Sequence, residues 1–191
     1  MRFIRNILAI TGMATIILGV GGYIKIRSTI ERDPWMIPTY LAFTERLLQT
    51  ANPGDAMVLA VPVKAELSLN DVKESMRSLA NARNLLFVGE ATLHKQIEAV
   101  TGLPSQHISL MSFCDARVGK RMADYNSVYT AFMPCRVAIV QDRKGALQLY
   151  TMRLDMMIHG GKPLPSELYK ETSRVWYVLQ EIMHGAASGN F

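Results

Sequence analysis

The chain has 191 residues, 49% hydrophobic and 19% charged, with 21 Lys and Arg against 16 Asp and Glu. That length accommodates one anchor segment and one domain of roughly 135–160 residues. The basic excess is no nucleic-acid footprint: residues 1–32 hold five basic residues and one acidic, leaving a nearly balanced 16 and 15 beyond, with no basic stripe interleaved with aromatics.

Residues 7–24 carry no charge. As a helix they extend roughly 27 Å, close to the hydrocarbon thickness of a bilayer, and a helix satisfies its own backbone groups in lipid. Arg2 and Arg5 precede the run, Lys25 and Arg27 follow it, and Tyr23 suits an interface. A cleaved signal peptide competes, with Gly19-Val20-Gly21 as a small-x-small site, but the run is long and no A-x-A follows. A buried soluble helix is the weaker alternative, because the run is apolar all round. An uncleaved anchor over 1–32 is therefore expected. Thr11, Thr15 and Gly19 recur every fourth residue, with Gly22 one step round. Such a stripe permits close packing on a membrane partner, although small residues are common in any membrane helix.

Residues 33–55 form a juxtamembrane piece. Pro34 and Pro38 stop the anchor helix, Thr39 can cap a short helix through Gln49, and residues 52–55 read as a turn. A folded domain over 56–191 follows. Residues 56–67 have strand character. Ser68 or Asn70 starts a helix with Val72, Met76 and Leu79 on one face. Residues 85–88 read as a second, buried strand. Thr92 can cap a helix to Val100, stopped by Gly102, with Ile97 and Val100 inward and His94 solvated. Residues 108–113 form a third strand and residues 115–124 a helix with Val118 and Met122 inward. Residues 136–141 and 146–152 pair through a hairpin in which Gly145 can take positive φ. Residues 154–158 run into His159-Gly160-Gly161, a loop where backbone can approach a ligand closely, or a plain turn. Ser166 caps a last helix with Leu168, Val175, Leu179 and Ile182 inward, ended by Gly185. The order β-α-β-α-β-α-β-β-α, with one hairpin and otherwise crossovers, indicates a two-layer α+β domain with a mixed or antiparallel sheet and packed helices.

The two cysteines, Cys114 and Cys135, form no CxxC or CxxCH, which excludes thioredoxin, c-type haem and classical zinc patterns. They can bridge in an oxidising compartment or stay as buried thiols. Methionine is abundant, at 12 residues. Cys114, Cys135, Met133, Met156, Met157 and His159 supply soft donors for copper(I) or haem iron, against which stands methionine's ordinary use as core filler. A nucleophilic Cys114 or Cys135 would need His107 or His159, and no spacing demands either pair. Asp115, Asp124 and Asp155 are equally unforced as an acid–base set.

Phe113-Cys114-Asp115, then residues 133–140 (MPCRVAIV), then Asp142 and Gly145, resemble the domain-of-unknown-function 302 family, over about Met57 to Met152. The extension from Leu154 through Pro165 resembles a membrane-anchored bacterial subset. The resemblance implies a small α+β fold, often dimeric, and no agreed activity, so no catalytic residue is carried over. Expected, then, is a non-catalytic accessory or subunit protein of an inner-membrane complex. Electron transfer is one setting for such a complex. Its domain faces the periplasm, and its partners are lipid and a membrane protein or a second copy. The alternative is a copper- or haem-binding redox module. A small apolar ligand between sheet and helices is a further option.

Overall fold

The computed structural model describes residues 2–29 and 31–191, with side chains described for 4–25 and 31–191. Helix α1 (Arg2–Thr29) contains the apolar stretch Ile4–Lys25, with mean hydropathy 2.0 and no buried residue. A core helix of this composition would be buried; among its described side chains, residues 4–25, this one buries none. Thr11 Oγ1 donates to the Ile7 and Leu8 carbonyls and Thr15 Oγ1 to Thr11. Both hydroxyls are thus satisfied within the helix.

Helix α2 (Met36–Thr50) follows, then the short α3 (Pro53–Met57), strand β1 (Val58–Pro62), α4 (Leu69–Ala82), β2 (Leu86–Ala91) and α5 (Leu93–Thr101). Beyond them lie β3 (His107–Cys114), α6 (Ala116–Tyr125), a 3-10 turn (Ser127–Phe132), β4 (Cys135–Gln141), β5 (Leu147–Met152), α7 (Asp155–His159) and α8 (Ser166–Ser188). The sheet order is β1-β5-β4-β3-β2, antiparallel throughout. Only β1–α4–β2 crosses the sheet. Helices α5 and α6 are instead inserted between neighbouring antiparallel strands, which corrects the expected run of crossovers.

Local chemistry accounts for the element starts. Ser68 and Asp71 form a reciprocal capping box at α4, and this pairing draws the Asp71 carboxyl below its ordinary pKa. Asp115 Oδ1 accepts from the Arg117 and Val118 amides to open α6. In the β4–β5 hairpin, Asp142 Oδ1 accepts from Lys144 and Ala146 amides, and Gly145 has φ +88°.

Helices α4 and α8 cover one sheet face. Val72, Met76, Leu179, Ile182 and Met183 meet Met111, Phe113, Val137, Ile139 and Leu149, all fully buried. The opposite face carries the cross-strand row Leu110, Ala138, Tyr150 and Ala60, outside that helical layer.

Several expectations change. The second strand is an exposed sheet edge, with only Leu85 before it buried. Val100 is 87% exposed, because α5 lies at the sheet margin. Thr92 makes no capping hydrogen bond. Thr39 lies inside α2, which starts after Trp35. Residues 52–55 begin a helical turn capped by Asn52 rather than a plain turn. Pro165 precedes α8, Ser166 is its first residue, and the helix runs past Gly185 to a left-handed Gly189. Gly185 serves instead to let α4 approach: a Cβ there would stand 2.6 Å from the Leu79 side chain.

Candidate functional site: an apolar cavity at the β3–β4 end

The end of β3 and the start of β4 bring the two cysteines to one place, with Phe113 in register opposite Cys135. Helices α6, α7 and α8 and the 3-10 turn close around this corner. They line a half-open cavity of about 80 Å³, whose exposed wall is apolar. Five sulfur-bearing residues, Cys114, Cys135, Met122, Met133 and Met157, line it, and Phe113, Tyr129, Phe132 and Ile158 supply much of the rest. The Met133–Pro134 peptide that enters β4 is cis. Gly119 on α6 opens the space: a Cβ there would stand 3.5 Å from Cys114 Sγ and 3.6 Å from Met133 Sδ.

The Asp115 carboxylate and the Thr172 hydroxyl of the wall are engaged elsewhere. Asp115 caps α6 through one oxygen and meets Arg174 with the other. Thr172 Oγ1 donates to Leu168 O at 2.9 Å within its own helix. Burial pushes the Cys135 thiol up to about 11, with Cys114 adding to the effect. Burial, then the Asp115 charge, raises Cys114, and burial followed by Tyr125 raises the Tyr129 phenol. Each of these groups is therefore neutral near pH 7.

Of the six soft donors expected from the sequence, Cys114, Cys135, Met133 and Met157 share this cavity. Met156 lines a second cavity, of about 250 Å³, with Phe43, Arg46, Met152 and Arg153. His159 is turned away: its Nδ1 lies 3.2 Å from Asp33 Oδ1 and its ring packs edge-on to Tyr169. His107 opens β3, the far end of the strand from Cys114. Neither histidine lines the cysteine cavity, so the nucleophile–base pairs considered from sequence do not assemble there. Among the described residues, no three of His, Cys, Asp and Glu converge as a metal-binding group.

His107 instead stacks on His94, with ring centroids 4.2 Å apart. His94 is half-buried, not solvated, and its Nδ1 lies 3.0 Å from Ile108 O. Burial, then His94 and Lys73, lowers the His107 pKa against an opposing pull from Glu90.

The glycines after His159 meet the chain's own segment that leads from α1 into α2. The Tyr40 hydroxyl donates to Gly160 O and the Asp33 amide to Gly161 O, each at 3.0 Å. Phe132, Tyr129, Arg46 and Arg153 were not singled out by sequence reasoning. Phe132 stands two residues before Pro134, and no local pattern marks it as a wall shared by several cavities.

Residues 59–182 match the family described as "Domain of unknown function DUF302". The chain belongs to the DUF302 family. A crystal structure of an uncharacterized conserved DUF302 protein from Bacillus stearothermophilus has a similar fold, with a TM-score of 0.54 at 14% identity. The match covers 66% of this chain and 95% of that one. No curated protein matches the chain. In DUF302 terms, α1, α2 and α3 precede the matched region, while both cysteines and the corner they share lie inside it.

Proposed function

We propose that this protein is a membrane-anchored, non-catalytic binding module. In this proposal α1 fixes it in a bacterial inner membrane, with the DUF302 domain on the periplasmic side as an accessory to a membrane complex. The domain holds a compact apolar ligand in the Cys114–Cys135 cavity. One observation carries the ligand part: a cavity whose exposed wall is apolar, whose Asp115 carboxylate and Thr172 hydroxyl are engaged elsewhere, and whose thiols are held neutral. A neutral apolar occupant gains contact there without displacing a hydrogen bond or a charge. A nucleophilic cysteine would need the opposite shift, a thiol lowered by a neighbouring cation or base.

The grouping of Cys114, Met133, Cys135 and Met157 favours a second reading, a copper(I) site of the redox-module kind. The raised thiols weigh against it, since a dithiolate would place uncompensated negative charge in an apolar wall.

The test uses the full chain in lipid nanodiscs and follows maleimide labelling of Cys114 and Cys135 by mass spectrometry. Indole and n-hexanol should slow labelling in a saturable way. In Gly119→Leu, whose side chain fills the cavity from α6, the probes should no longer change the rate. Labelling indifferent to both probes in the native chain would remove the apolar-ligand proposal. Stoichiometric copper(I) retention against a competing chelator, lost in Cys135→Ser, would favour the second reading instead.

A further inference from the structure

The cysteine cavity does not stand alone. Phe132 and Met157 also line the 250 Å³ cavity between α2, α3 and α7, so the two spaces share those walls. The second cavity differs in one respect: it contains two guanidiniums. Arg46 Nε on α2 donates to Ala56 O at 3.0 Å, and Arg153 Nε after β5 donates to Val58 O at 3.3 Å. Both main-chain acceptors flank Met57, which brings the two cations to one wall. One carboxylate, Asp155, answers them. Its Oδ2 is 3.9 Å from Arg153, and its Oδ1 already accepts from Trp176 Nε1 at 3.0 Å. Among the described residues Arg46 makes no ion pair. The local balance is two positive charges against one negative.

We infer that the two cavities form one site for a single-chain fatty carboxylate. The head lies between Arg46 and Arg153, and the tail passes Phe132 and Met157 into the sulfur-lined cavity. The local excess of one positive charge matches a carboxylate rather than a dianionic phosphate. Methionine lines the route on both sides of the shared wall, with Met57, Met152 and Met156 in the head cavity and Met122 and Met133 around the tail. Unbranched thioether side chains adapt to a flexible chain without a fixed shape. Combined, at about 330 Å³, the two spaces reach the lower end for small-molecule sites, roughly 300 Å³. Helix α2, which carries Arg46 and Phe43, begins a few residues after the anchor, so a bilayer is the nearest reservoir of such amphiphiles. This inference rests on the proposed apolar-ligand function and adds the head group and the entry side.

The test is equilibrium binding of radiolabelled laurate to the full chain in phosphatidylcholine nanodiscs, with empty nanodiscs subtracted. Saturable one-to-one binding is expected, with dodecanol and dodecyl phosphate competing more weakly than laurate. Arg46→Gln, on an outer helix away from the core, should weaken laurate about tenfold while leaving dodecanol unchanged. Arg153→Gln should do the same, and the Arg46 variant keeps the test intact if Arg153→Gln misfolds. Equal affinity for laurate and dodecanol, unaffected by Arg46→Gln, would overturn the head-group assignment and leave the apolar cavity standing. Stronger binding of dodecyl phosphate would overturn the carboxylate. Absence of saturable binding by laurate, dodecanol and n-hexanol alike would overturn both proposals.

Discussion

At the scale of single residues, environment decides what the chemistry-bearing side chains do. Cys135, with a pKa of about 11, carries very little thiolate at pH 8. Its alkylation by iodoacetamide at that pH should run on the order of a hundredfold slower than a free thiol. Stopped-time mass spectrometry should show Cys135 lagging in the native chain and reacting normally in urea; fast native labelling would mean the corner is open. His107 behaves differently. Its folded pKa lies below the unfolded value, so the unfolded chain binds more protons as acid is added. Its contribution is present in full above about pH 6.5 and is withdrawn as pH falls below that, through the folded pKa. Thermal melts from pH 7.5 to 5.0 should therefore fall less steeply in His107→Gln than in the native chain. Parallel curves would show that the His94–His107 stack, with Lys73 and Glu90 beside it, has no such role. These residue-level properties were not legible in the sequence. Cys114 and Cys135 are 21 positions apart, and only the β3–β4 register and the α6 insertion bring them to one corner.

At the scale of elements, sequence patterns succeeded where one face of an element is buried. The α8 stripe of Leu168, Val175, Leu179 and Ile182 is fully inside, as is the Leu147, Leu149, Thr151 alternation of β5. They misled at the margins. The apolar residues of β2 and Val100 of α5 resemble core residues in composition, and nothing local shows that the sheet ends there. The loop at His159-Gly160-Gly161 is the most instructive element. Its glycines do permit close backbone approach, but the visitor is the segment that leads from α1 into α2. A Cβ on Gly160 would stand 2.1 Å from the Met156 carbonyl oxygen, whereas one on Gly161 would meet nothing. Gly160→Ala should displace α7 and loosen the Tyr40 and Asp33 contacts, at about 1–3 kcal/mol. Hydrogen exchange should then accelerate at the Asp33 amide and along the start of α2, with Gly161→Ala silent. If both variants exchange like the native chain, the linker is not held through this loop.

At the scale of the whole molecule, the proposals place one chain in two solvents. The domain is nearly neutral and has an ordinary buried core, while α1 exposes Ile16, Ile17 and Leu18 at 63–76%, a surface costly to leave in water. Length and composition alone also fit a signal sequence, and the two readings separate in one measurement. If α1 is a retained anchor, the chain should stay in the membrane pellet through alkaline carbonate extraction, with residue 1 region peptides recovered by mass spectrometry. Ile16→Lys with Ile17→Lys puts two charges near the middle of the span, costing roughly 2.5–3.5 kcal/mol each on insertion scales. That variant should move to the soluble fraction with its domain folded. Recovery of a mature chain starting near Gly21, in the supernatant, would instead identify a cleaved signal. In that case α2 would no longer be tied to a bilayer, and a fatty carboxylate would have to reach the Arg46–Arg153 wall from solution.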